Sequence, residues 1–119
     1  IVPALVMSGL PTASFVYGGL LPRDPEERQK ALRGYCEEER TLIFLDAPYR
    51  LGHLLADAVH AFGPDRPVAI VFSISLPNEA VWRGTLGTLQ ARFEATPQKE
   101  LFVLVVGGKF APQFPFLVS

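Results

Sequence analysis

Along the chain, two kinds of apolar pattern alternate. Short, nearly continuous runs recur: "SFVYGGLL" at 14–21, "TLIFLD" at 41–46, "PVAIVFSIS" at 67–75 and "LFVLVVGG" at 101–108. Runs of this length, rich in Val, Ile and Phe, read as strands, and the uninterrupted ones as central strands of a sheet. Between them, apolar residues fall at three- and four-residue spacing. Leu51, Leu54, Leu55, Ala58, Val59 and Phe62 make the clearest helical stripe, closed by Gly63-Pro64. The segment "EERQKALRGYCEEE" carries Ala31, Leu32, Tyr35 and Cys36 on one stripe, and "LGTLQARFEA" carries Leu86, Leu89 and Phe93.

Punctuation fixes the ends. Asp24-Pro25 is a helix start, because Asp24 can accept from free amides and proline suits the first helical position. Thr85 is placed to cap the helix after it. The opening "IVPALVMSGL" reads as a short apolar helix stopped by Gly9 and Pro11, and "NEAVW" as a short strand returning from a turn at Pro77-Asn78. The tail "KFAPQFPFLVS" is apolar but broken by prolines. The alternation predicts an α/β fold in one domain, 1–119, with a mixed sheet of about five strands flanked by helices.

Composition narrows the function classes. Eleven basic against twelve acidic residues give a net charge of -1, so the whole chain has no pull toward nucleic acid or membrane. A local basic patch stays open. The single cysteine, Cys36, permits no intramolecular disulfide, which favours a reducing compartment and a cytoplasmic protein. No apolar run approaches the ~18 residues of a membrane span, and no signal-peptide pattern is visible. The first residue is Ile1 rather than methionine, and the chain is expected to be part of something longer.

The chemistry-bearing residues are few. His53 and His60 lie seven residues apart on the strongest helix, about two turns, too far to chelate one ion easily, and read as solvated or rim histidines; no metal cluster is expected. Cys36 falls on an apolar stripe and reads as a structural thiol. Gly18-Gly19 and Gly107-Gly108 form no phosphate-binding loop, and no nucleophile elbow is present. The acidic run Glu37-Glu38-Glu39 reads as a solvated helix end, partly offset by Arg40.

One stretch stands out. In "FLDAPYR", Phe44 to Arg50, a buried strand ends in an acid, a small residue and a proline before a helix opens. Ligands of open α/β sheets sit beyond the carboxyl ends of strands, so Asp46 and Ala47 lie where a ligand would touch. Asp46 reads equally as a helix cap. Arg83 in "RGTL" reads either as a group facing substrate or phosphate, or as an exposed turn residue.

These pieces line up. The order "SGLPT", "F.Y.G.LP", "ERTLIFLDAPYRL", "RGTL" and "VLVV.G" resembles the C-terminal half of the tetrapyrrole (corrin/porphyrin) methylase superfamily. Within it, the pattern is nearest the ribosomal small-subunit RNA (cytidine-2'-O)-methyltransferase family. The match runs from Ala4 to Gly108, each motif modest, the set in order more specific.

The resemblance implies a two-domain methyltransferase using S-adenosylmethionine in the cleft between its domains. The chain would be the second domain, and the N-terminal domain with the glycine-rich cofactor loop would be its partner. Leu45, Asp46 and Ala47, with Glu100, Leu101 and Phe102, would lie nearest the cofactor, and Asp46 would be the catalytic candidate. Tyr49, Arg50, Glu79 and Arg83 would face the substrate. A homodimer and an RNA partner follow from the same likeness. Its alternatives are a small-molecule (tetrapyrrole-type) methylase domain, or a non-catalytic dimerisation module that keeps the fold. The RNA methylases usually carry Glu at the position of Asp46, often His at that of Tyr49, and an Arg-Glu/Lys stretch that "SLPNEAVWRGTL" lacks apart from Glu79.

Overall fold

Hydrophobic continuity decides which strand sits where. In the computed structural model, which describes residues 2–11 and 14–112, five strands form one sheet in the order β1-β2-β5-β3-β4. The central three are β2 (Thr41–Leu45), β5 (Phe102–Val106) and β3 (Pro67–Phe72), and nearly every residue in them is buried. The edges are β1 (Phe15–Leu20) and β4 (Ala80–Thr85), whose residues alternate between more and less exposed. A strand with no polar face is stable only where both faces are covered, so the continuous runs take the middle. β1 runs parallel to β2, and the other pairings are antiparallel. The sheet is therefore mixed, as the α/β pattern anticipates.

The faces are covered unequally. Leu42, Phe44, Ile70, Phe72, Leu104 and Val106 pack with α2 (Pro25–Gly34), α3 (Leu51–Phe62) and α4 (Leu86–Ala95) in the larger core. On the opposite face, Ile43, Val71, Val103 and Val105 cluster, among the described residues, with Ala4 of the short helix α1 (Val2–Ser8) and Leu10 beyond it, with Met7, Leu45, Ile74 and Val81 at the margin. α1 lies over β3, β4 and β5. Phe15, Tyr17 and Leu20 of β1 are exposed. Tyr17 pairs with Ile43 and Leu20 with Leu45 in the strand register, which puts them on the thinly covered face.

Several boundaries move from the sequence expectation. α2 stops at Gly34, so Cys36 and the acidic run fall beyond it, not on it. Three acids would face the negative helix end, and the chain instead turns away and shares them out. Glu38 pairs with Arg40 at 2.6 Å and Glu37 with Lys109 at 2.8 Å. β3 ends at Phe72, short of Ser75, and β4 runs to Thr85, past the expected Trp82. Both expected caps are present: Asp24 accepts from the Glu27 amide, and Thr85 forms a capping box with Thr88. The glycines at 107 and 108 have a packing reason. A Cβ at Gly108 would collide with the Glu39 carbonyl oxygen, and the next amide, Lys109, donates to the Glu38 carbonyl at 2.7 Å. The tail beyond Pro112 lies outside the described residues.

A polar contact inside the helical layer ties α2 to α3. Arg28 is 6% exposed and its Nε donates to Asp57 Oδ2 at 2.5 Å, while Gln29 donates to Oδ1 at 3.1 Å. Arg28 Nη1 also reaches the Arg23 carbonyl at 3.3 Å, anchoring the loop before α2. Removing one member of a buried ion pair leaves the other charge uncompensated. Asp57→Ala is therefore expected to cost about 3–5 kcal/mol in urea unfolding. A loss below about 1 kcal/mol would class the pair with ordinary surface ion pairs.

Candidate functional site

The pairing registers bring distant residues to one rim of the sheet. Leu20 lies beside Leu45, Leu45 beside Val103, Phe102 beside Phe72, and Phe72 beside Ala80. The rim is therefore built from the carboxyl ends of β1, β2 and β3 and the starts of β4 and β5. Leu45, Asp46 and Ala47 close β2 where Glu100, Leu101 and Phe102 lead into the adjacent β5. Beside them the 73–79 loop carries two non-glycine residues in the left-handed region, Ser73 at φ 51° and Ser75 at φ 65°. Such strain concentrates where a loop must hold a particular shape. The Ser73 amide donates to the Leu101 carbonyl at 2.8 Å, and the Glu79 carboxylate accepts from the Ser75 amide at 2.6 Å.

Asp46 is buried, its side chain only 2% exposed. Its Oδ1 accepts from the Ala47 amide and from Arg50 Nη1, both at 2.7 Å. Oδ2 is buried and has no hydrogen-bond partner. The capping reading is corrected here. A one-turn 3-10 helix, Pro48–Arg50, precedes α3, its cap residue is Ala47, and no side chain caps either helix. Proline removes an amide that a cap would bind, so Asp46 turns to the arginine instead. Its hydrogen bond raises the Arg50 guanidinium above its ordinary pKa. Arg50 also donates to the Tyr49 hydroxyl at 2.9 Å and lies 5.0 Å from that ring's centre. Tyr49 is 75% exposed.

The remaining expected site residues divide. Leu101 projects to solvent, Glu100 is half-buried, and Phe102 is buried in the helical core. Arg83 stands apart from Asp46 and Arg50. It sits mid-strand opposite Ala69, and its guanidinium donates to the Met7 carbonyl at 2.6 Å and the Ser8 carbonyl at 3.2 Å. Those carbonyls close the last turn of α1, where an arginine satisfies both the orphan acceptors and the helix dipole. Arg83 is thus neither an exposed turn residue nor part of the Asp46 cluster.

Two concavities adjoin the rim on the helical face, and neither was legible from motif spacing. The larger, about 710 Å³, runs between α3 and α4, with Pro48, Tyr49, His53, Phe93, Pro97 and Lys99 among its walls. Gly52 lies on its wall in close contact with Phe93: a Cβ there would stand 3.2 Å from the ring. The smaller, about 300 Å³, is lined by Arg23, Pro25, Arg28, Tyr49, Arg50 and His53. Tyr49 and His53 border both. In the sequence Phe93 reads as core and His53 as rim. The only hint there is the pair of arginine-bearing strand-to-helix turns.

A family model described as Tetrapyrrole (Corrin/Porphyrin) Methylases matches residues 3–90. The chain belongs to this family. Its methylase relatives include a ribosomal RNA small subunit methyltransferase I of a Synechocystis strain, 37% identical over 91% of this chain and 39% of the relative. The like-named protein of Mycobacterium tuberculosis is 39% identical over 87% and 36% respectively. The chain thus spans about two-fifths of the length of the curated relatives it matches. Among solved structures, a cobalt precorrin-4 methyltransferase of cobalamin biosynthesis superposes with a TM-score of 0.64 at 15% identity, covering 89% of this chain and 47% of the other. A uroporphyrin-III C-methyltransferase from Thermus thermophilus complexed with S-adenosylhomocysteine gives 0.56 at 18%, covering 87% and 48%. These two likenesses carry the methylase fold.

The Arg83 geometry makes a prediction. Arg83→Met removes two charge-assisted bonds to α1 while keeping the side chain's length. It is expected to cost about 1–3 kcal/mol. Hydrogen exchange should then rise in α1 and the turn after it, and stay unchanged at the Asp46 rim.

Proposed function

We propose that this domain forms one wall of the cleft of an S-adenosylmethionine-dependent methyltransferase acting on RNA, of the kind that methylates a ribose 2'-hydroxyl in small-subunit ribosomal RNA. The observation that carries the reading is the 36–39% identity, over 87–91% of this chain, to relatives named ribosomal RNA small subunit methyltransferase I. The rest of the enzyme, including a cofactor-loop domain, would supply the facing wall. The reading extends to a homodimer, supported by the exposed apolar residues Phe15, Tyr17 and Leu20 along β1.

The rim suits such a cofactor. Leu45, Ala47 and Leu101 offer apolar surface to an adenosyl group, and Asp46 holds an acceptor oxygen, Oδ2, with no donor of its own. When bound, S-adenosylmethionine supplies an electrophilic methyl group on a sulfonium. The residues here position and polarise. Arg50 compensates the Asp46 charge and fixes the carboxylate's direction. Asp46 is the group proposed to orient the acceptor hydroxyl or take its proton as a general base. Its Oδ2 is buried in the one-wall structure, so that role requires the rim to open onto the acceptor, whose alignment contributes much of the rate. Tyr49 and Arg50 flank the entry side, and Glu79 holds the neighbouring loop in shape.

A small-molecule reading has its own support, since solved neighbours are named for tetrapyrrole substrates, one at 27% identity. The curated RNA-methylase relatives are more similar across the same span, so the RNA reading leads.

Two measurements test it. In the full-length enzyme, Asp46→Asn is expected to lower kcat on small-subunit RNA by about 10²-fold or more, with cofactor affinity little changed. Unchanged turnover and cofactor binding would leave Asp46 only the task of holding Arg50. The 119-residue chain alone, having one wall, is expected to give weak or no heat with S-adenosylmethionine in calorimetry, and a tight stoichiometric signal would overturn the one-wall reading.

A further inference from the structure

The two concavities on the helical face share two lining residues, Tyr49 and His53. The smaller notch gathers Arg23 from the loop after β1, Arg28 from α2 and Arg50 from the one-turn helix after β2, in a chain whose overall charge is -1. Asp57 neutralises Arg28, and Asp46 accepts from Arg50 through one oxygen. Arg23 is exposed, adds positive charge at the mouth, and its backbone is held by the Arg28 bond. With Arg28 and Arg50 each paired to an acid, the net positive charge of the notch is that of Arg23. Next to it, across Tyr49 and His53, opens the larger groove, floored by apolar Phe93, Pro48 and Pro97. Lys99 stands at the wall, with Gln90 and Gln98 supplying amide groups and Glu94 one acid.

We infer that these two concavities seat a single-stranded RNA segment, with a backbone phosphate in the arginine notch and the adjoining base in the α3–α4 groove. The inference rests on the RNA reading of the acceptor and adds where the strand lies relative to the rim. Three properties fit one another. Guanidinium groups match phosphate oxygens in a planar fork. A base needs an aromatic or apolar slot with amide donors and acceptors at its edge, and exposed Tyr49, Phe93 and the two glutamines provide it. The groove's volume, about 710 Å³, is within the range of sites that enclose small ligands. A lipid or an apolar peptide would have no use for the arginine notch, and a bare anion none for the groove. The strand would pass from the helical face toward Asp46, since Arg50 borders the notch and also touches Asp46.

The test is an NMR titration of the 119-residue chain, which reads even weak binding residue by residue. Its probes are a short single-stranded RNA, a ribonucleoside monophosphate and inorganic phosphate, each added to the wild type, Arg23→Glu and Tyr49→Ala. Both substitutions are at exposed side chains, and the amide spectrum itself reports whether the fold survives. The expected result is RNA-induced shifts at Arg23, Tyr49, Gly52, His53 and Phe93, with affinity about tenfold weaker in each variant. Arg23→Glu should also flatten the salt dependence, by about 0.7 in log–log slope for one phosphate no longer neutralised. Shifts confined to the notch and reproduced by inorganic phosphate would overturn the inference in favour of a simple anion patch. So would shifts clustered on the β1 face, RNA binding indifferent to both variants, or no shift at all. Methylation of small-subunit RNA by the full-length enzyme is measured separately. Activity there with no footprint here would sink the RNA path alone, whereas a footprint without RNA methylation would sink the acceptor reading and leave the binding site.

Discussion

Arg28 and Asp57 meet at 2.5 Å in a part of the molecule that water scarcely reaches. Neither charge is tolerable there without the other, so α2 and α3 have one workable relative position. Gln29 occupies the second carboxylate oxygen, and Arg28 extends a further bond to the Arg23 carbonyl. The pair thereby fixes three things together: the angle between two helices, the loop that launches α2, and the wall of the arginine notch. The apolar core supplies most of the stabilisation, but a hydrophobic contact is not directional and would permit sliding. The ion pair supplies direction.

A second charge pair repeats this logic at the rim. Asp46 and Arg50 hold one another across the one-turn helix that follows β2, and the carboxylate keeps one oxygen without a donor. A structural capping aspartate would have its acceptors satisfied by helix amides. This one is half satisfied, beside a loop with two residues in the left-handed region, at a place where three strands end and two begin. The proposed methyltransferase function would give that leftover acceptor a use, and the proposed RNA path one to the basic and aromatic surface next to it.

Much of the architecture was legible in the chain. Uninterrupted apolar runs became the central strands because a strand lacking a polar face needs cover on both sides. Caps at Asp24 and Thr85 were readable because their partners are three residues away. Periodicity overextends α2 at the acidic run, because the stripe continues through Tyr35 and Cys36, whereas Gly34 and the repulsion of three acids end the helix. The site was legible only in part. The position of Asp46 and Ala47 just past the end of β2 was readable from the apolar run before them, but the groove was not. Phe93 lies on an apolar stripe whether it closes a core or floors a slot, and only the packing against Gly52 separates the two.

Taken alone, the sequence determined the properties that depend on near neighbours: strand and helix alternation, caps, the order of motifs and, through that order, the methylase family. The tertiary structure decided what depends on residues far apart meeting. Arg28 finds Asp57 29 positions away, and Arg83 closes α1 from 75 and 76 positions away. The arginine notch assembles from two separate strand-to-helix turns and the first part of α2. No periodicity encodes such meetings. They follow from which face of the sheet each strand turns toward each helix, and that is settled only when the registers lock.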